Sequence, residues 1–167
     1  DEATTTQDID LLMDTQKHLL LASTLESRNE SLLSILQKVD STFDLRDDQL
    51  YTAVNASGFE VDVIRRMAKS GDPHPLQATS AERDFWVVQV GNGAQMVSAE
   101  RFAQMVVSAS GHMALMTTLH PVTFSKLKHA LATSPTRDPL KKSRDALQAQ
   151  AVTELLEEML PHLLLTP

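Results

Sequence analysis

Catalysis and metal binding need side chains at spacings that bring them to one face, and this chain offers few. The six histidines, His18, His74, His112, His120, His129 and His162, are scattered. No two stand three or four residues apart, and no His-Glu-x-x-His segment occurs, so a zinc site would have to be assembled wholly by the fold. Cysteine is absent, which removes thiolate ligands, disulfides and thiol nucleophiles together. Glu154, Glu157 and Glu158 share a helix face, but no second carboxylate or histidine cluster matches them, and a solvated face is the expected role. No serine sits in a Gly-x-Ser-x-Gly elbow. Gly91-Asn92-Gly93 is too short for a phosphate-binding loop, and no lysine follows it. These patterns predict a non-enzyme with no catalytic residue, no cofactor and no metal.

The basic residues Lys141, Lys142 and Arg144 are more informative. They fall in the opening turn of a predicted last helix, where the macrodipole prefers acids. Local compensation by Asp138 and Asp145 explains them most simply. The sharper reading is a docking patch that, with Lys126, Lys128 and Arg137, faces something acidic. Residues 1–60 carry twelve acids against four bases within a chain of net charge −7, so the first third of the chain is one such surface.

The elements that must position these groups read as helical. Aromatic residues make up 4% of the chain and apolar residues 42%, which fits an aliphatic core of packed helices. From Asp8 to Val39 the apolar positions, among them Ile9, Leu12, Leu20, Leu25, Leu32, Ile35 and Leu36, step by threes and fours, the spacing of one helix side. Ser27-Arg28-Asn29-Glu30 matches a capping box that divides this span into two helices. Residues 47–56 and 59–69 are predicted as two short helices about Gly58, and Pro73 and Pro75 end regular structure after them. Phe85-Trp86-Val87-Val88 has strand composition, and Gly91-Asn92-Gly93 supplies a turn, so one small β-hairpin is predicted at about residues 85–97. Ser98 then caps a helix through Phe102, Met105 and Val106. Pro121 opens a helix bearing Phe124, Leu127 and Leu131. Asp138-Pro139 opens the last helix, with Leu140, Leu147, Ala151, Leu155 and Met159 as its buried stripe and Pro161 as its end.

Ser110-Gly111-His112-Met113 has the composition of a native loop and also of the scar that a cleavage and cloning site leaves. The predicted organisation is therefore a helical segment with the hairpin at 1–110, a connector at 111–118, native or an engineered join, and a two-helix segment at 119–167 packing on the first. The fold class expected is mainly α, a helical bundle. The function expected is a non-catalytic protein-interaction module, a regulatory adaptor, anti-activator or chaperone-like partner. Its contact residues would be Phe124, Leu127, Leu131, Leu147, Ala151 and Leu155, with Lys141, Lys142 and Arg144. An oligomer is compatible with this reading. The alternative is a DNA-binding regulator, because 49–69 superficially resembles a helix-turn-helix with Arg65 and Arg66 near the groove. Glu60 and Asp62 would then face phosphate and repel it, so the partner expected is protein and not nucleic acid. No long apolar run predicts a membrane span, and a cytoplasmic location is expected.

Overall fold

The computed structural model describes residues 7–14 and 30–164. The span Glu60–Arg66 sets the architecture: acids at 60 and 62 alternate with Val61 and Val63, a period of two that sends them to opposite faces of a strand. The chain divides into two units, one of them Thr6–Ser98, the other including Ala99–Pro167.

Thr6–Ser98 is built on a five-stranded sheet. Its strands are β1 (Asp8–Met13), β2 (Asp44–Arg46), β3 (Gln49–Val54), β4 (Glu60–Arg66) and β5 (Val88–Val90), and its helices are α1 (Leu32–Val39) and α2 (Gly93–Ser98). β4 is central. It pairs in parallel with β1 and with β5, and antiparallel with β3, which continues to β2. One sheet face is apolar: Val61 and Val63 join Leu33, Phe43, Leu45, Ala53, Phe85 and Val87, with Leu11, Met13 and Leu36 packed against them.

α1 begins at Ser31, whose hydroxyl accepts from the Ser34 amide while Ser34 Oγ accepts from the Ser31 amide. The buried carboxylate of Asp84 accepts from the amides of Leu32 and Leu33, both at 3.1 Å. An acid far along the chain thus supplies the charge that a helix start favours. Gly93 opens α2 directly against β4. A Cβ there would stand 2.5 Å from Arg66 Cα, so only glycine permits the approach.

The other unit holds an antiparallel hairpin, β6 (Arg101–Val107) and β7 (Met113–Leu119), followed by α3 (Pro121–Thr133), α4 (Pro139–Glu158) and a short 3-10 turn at Pro161–Leu164. Residues 108–112 close the hairpin. The Ser108 amide donates to the His112 carbonyl at 2.8 Å, and Gly111 takes a φ of 84°, the left-handed region that glycine enters without steric cost. α3 and α4 run antiparallel, with Leu127, Ala149 and Leu156 buried and Ser125 Oγ donating to the Ala149 carbonyl at 3.1 Å.

The mainly helical expectation is overturned: the protein is a mixed α/β fold with a five-stranded and a two-stranded sheet. The hairpin predicted at 85–97 is not formed. β5 pairs in parallel with β4, and Gly93 starts a helix. The predicted helices at 47–56, 59–69 and from Ser98 contain β3, β4 and β6. Strand pairing outweighed the apolar count, since in short spans apolar residues three or four apart are compatible with either period. The helix expected from Asp8 begins as β1, while the capping box at Ser27 and the apolar positions Leu20 and Leu25 lie outside the described residues. The helix-turn-helix reading of 49–69 falls with β3 and β4. Arg65 is fully buried, with Nη2 at 3.0 Å from His74 Nδ1, and Arg66 is held by Asp72.

Candidate functional site

The second face of the sheet gathers acids. In β1, Asp8 and Asp10 are two residues apart and so share a face. Parallel pairing sets Asp8 beside Glu60 and Asp10 beside Asp62. With strands about 4.8 Å apart and alternate residues roughly 6.6 Å apart, four carboxylates occupy one small patch. Grouped carboxylates create a local negative potential that attracts cations.

Two neighbours distinguish these acids. Thr52 lies opposite Asp62 across the antiparallel β3–β4 pair. Its buried hydroxyl donates to Asp62 Oδ1 at 2.5 Å. Glu60 instead meets a cation, Arg46 Nη1 at 3.0 Å, while Arg46 Nε and Nη2 each donate to Asp48 at 3.2 Å. The hydrogen bonds Arg46 donates to Asp48 first, then the charge of Asp48 and the bond to Glu60, raise the pKa of the Arg46 guanidinium above its ordinary value. Arg46 therefore stays charged and keeps Glu60 paired, whereas Asp62 is oriented by a neutral donor that leaves its charge uncompensated.

The chain matches a nucleotidyltransferase family model over residues 1–166. It belongs to that nucleotidyltransferase family. Among curated proteins and among solved structures no match is found. Membership overturns the expectation of a non-catalytic adaptor, anti-activator or chaperone-like partner: the family is one of enzymes. It equally corrects the expected partners, because a nucleotidyltransferase takes a nucleotide, and an account limited to protein with nucleic acid set aside does not stand. No helix among the described residues is long and apolar enough to cross a membrane.

Nucleotidyl transfer implies a divalent cation. Among the described residues, no three of His, Cys, Asp and Glu close on one point as a finished metal cage. Mg²⁺ at nucleotide sites does not need one, since it takes one or two carboxylates and completes its octahedron with water and substrate phosphates. Asp10 and Asp62, hard oxygen donors side by side on one face, fit that demand.

The residues singled out as contact sites lie in the other unit. On α3, Leu127 is buried and Phe124 and Leu131 are half-buried. On α4, Leu147, Ala151 and Leu155 are exposed, Lys141 is exposed, and Lys142 and Arg144 are half-buried. The face of α4 turned inward is instead Asp145, Ala149 and Leu156. An aspartate at its centre displaced the apolar stripe from the inward position. Asp145 is inaccessible to solvent, and its two oxygens accept from Lys128 Nζ at 3.0 Å and Arg137 Nε at 2.8 Å. Burial pushes its carboxyl up, and the bonds from Arg137 and Lys128 with their charges outweigh that, so it titrates below the ordinary 3.8. Lys128 also lies 5.5 Å over the Phe124 ring. The basic residues Lys128 and Arg137 thus find their acid locally, in Asp145.

The histidines have separate roles. His120 caps α3 with its ring edge-on to Phe102. His112 meets Ser110 in the hairpin turn. His74 accepts from Arg65. His129 and His162 are exposed, and His18 lies outside the described residues.

Asp8, Asp10 and Asp62 do not stand out at helical spacing. Their signal is acids at i and i+2 inside an apolar run, in Asp8-Ile9-Asp10-Leu11 and again in Glu60-Val61-Asp62-Val63.

Proposed function

We propose that Asp8, Asp10 and Asp62 form the catalytic platform for transfer of a nucleoside monophosphate from a nucleoside triphosphate to an acceptor. In that reaction an acceptor oxygen bonds to the α-phosphorus, the bond between that phosphorus and the bridging oxygen breaks, and pyrophosphate leaves. The observation that carries the reading is the alignment of Asp10 with Asp62, and of Asp8 two residues along, on one face of adjacent parallel strands. Asp10 and Asp62 would hold a divalent cation there, which would supply charge neutralisation at the phosphates. The chain's own part is to hold oxygen ligands at fixed spacing on a rigid sheet, which is more exacting than a loop. Asp10 and Asp62 supply those ligands, Asp8 stands beside them, and Arg46 keeps Glu60 occupied. A cytoplasmic location, where nucleoside triphosphates are made, suits this substrate.

The test is transfer of label from each α-³²P-nucleoside triphosphate, with Mg²⁺, to RNA or to protein acceptors. Labelling that depends on Mg²⁺ and disappears in Asp10→Asn and Asp62→Asn is the expected result. Equal labelling by those variants and the unaltered chain would remove the three aspartates from the mechanism.

A further inference from the structure

We infer that Thr52 is a positioning residue for Asp62, fixing which carboxylate oxygen is turned to a divalent cation. The inference rests on the catalytic reading of Asp62 and adds to it a residue with no metal-binding capacity of its own in this arrangement. Thr52 is 1% exposed, and a buried hydroxyl needs a partner. It has one in Asp62 Oδ1, at 2.5 Å, the short distance of a bond from a hydroxyl to an ionised acid. The register makes the contact possible, because directly opposed residues on an antiparallel pair have Cβ atoms about 4.5 to 5.5 Å apart, within reach of two short side chains. β-branching adds stiffness: Thr52 has few χ1 rotamers, so its hydroxyl is a fixed donor.

With Oδ1 engaged from the β3 side, rotation of the Asp62 carboxylate is restrained and Oδ2 is presented in one direction. A ligand held in one orientation binds a metal with less loss of rotamer freedom. Outer partners of this kind typically contribute ten- to a hundredfold in metal affinity. Arg46 contrasts with Thr52 on the same face. A guanidinium neutralises the carboxylate it contacts, as at Glu60, whereas a hydroxyl orients Asp62 and leaves its charge for the cation.

The experiment is a titration of the intact chain with Mn²⁺ alone, reading free ion by electron paramagnetic resonance. Thr52→Val preserves shape and removes the donor, Thr52→Ser preserves the donor, and Asp62→Asn removes the ligand. We expect Thr52→Val to weaken binding about ten- to a hundredfold, Thr52→Ser to restore it to within a few-fold, and Asp62→Asn to weaken it at least as much as Thr52→Val. If Thr52→Val binds like the unaltered chain while Asp62→Asn does not, the positioning role is wrong and the catalytic reading stands. If Thr52→Ser is as weak as Thr52→Val, packing rather than the hydroxyl matters, and the inference again fails. If Asp62→Asn binds Mn²⁺ normally, or the unaltered chain binds none, the reading of the platform falls and takes this inference with it. Should Thr52→Val not fold, as judged by circular dichroism, Thr52→Ala replaces it with the same expectation.

Discussion

Asp62 and Asp145 are the same side chain put to opposite uses. Asp145, between two helices, is closed to solvent with each oxygen committed to a cation. Asp62, on a sheet face, is half-buried, meets a hydroxyl, and has Asp10 beside it. A buried acid between two bases holds elements together, and its removal leaves charges stranded. An acid grouped with other acids burdens the fold and is retained for what it binds. Partners, rather than residue type, separate the structural carboxylate from the one proposed for catalysis.

Substitutions that remove a charge at constant shape give the sharpest test of this contrast. Asp62→Asn should lower nucleotidyl transfer by roughly a thousandfold, the loss of several kcal/mol of transition-state stabilisation, while its melting temperature changes little, because the amide oxygen can still accept from the Thr52 hydroxyl. Asp145→Asn should do the reverse. Loss of about 3 kcal/mol in a denaturant melt is expected from breaking the buried cluster, and activity per folded molecule should be unchanged. A stability loss in Asp62→Asn equal to that in Asp145→Asn would erase the distinction.

Acid should act through the same cluster. The folded Asp145 carboxyl titrates below its ordinary 3.8, so its contribution is complete above that value and is lost as pH falls toward the folded one. Thermal melts from pH 6 to pH 3 should show a decline below about pH 4 that Asp145→Asn reduces. An unchanged slope in the variant would move the acid sensitivity elsewhere.

Smaller effects separate the two sides of α4. Leu156 is 2% exposed and Leu147 is 42% exposed. Leu156→Ala should cost about 2 to 5 kcal/mol, whereas Leu147→Ala, at a surface position, should stay within about 0.5 kcal/mol. A larger loss at Leu147 would mean that its face is covered. Smallest of all should be Glu60→Gln. The Arg46 pair is partly exposed and screened by solvent, so stability should hardly change, and Mn²⁺ affinity should change by less than about fivefold. A change as large as that in Asp62→Asn would place Glu60 among the metal ligands.

Parts of this molecule were legible in the sequence because they depend on local chemistry. Pro121 opens α3 and Asp138 caps α4, with Asp138 Oδ1 accepting from the Leu140 amide at 2.9 Å. Such signals act within a turn of helix. The turn before β4 was equally local: Gly58 has a φ of 81°, and Asn55 Oδ1 accepts from the Phe59 amide at 2.8 Å. What flanked that turn was not legible. Gln49–Val54 and Glu60–Arg66 contain apolar residues at distances compatible with either period, and only pairing, of β3 with β2 and β4 and of β4 with β1, remote in sequence, makes them strands. The platform was hidden for the same reason, since Asp10 and Asp62 become neighbours only through that pairing. Even on α4, where the helix itself was clear, counting apolar residues gave Leu147, Ala151 and Leu155 the inward role that Asp145 takes with Lys128 and Arg137.

β4 carries the apolar core on one side and two acids on the other, with Val61 and Val63 between Glu60, Asp62 and Ile64. Displacing its pairing by a single residue exchanges the two sides completely. Carboxylates then enter the oil and valines face the solvent, so a misaligned chain forfeits its core and its platform in one step. A population of molecules should therefore contain no well-folded but mis-set platform, because the same alternation that assembles the aspartates also proofreads the sheet. Inheritance is constrained accordingly: an insertion or deletion within this strand cannot drift neutrally, while residues can be added beyond its turns without touching either face.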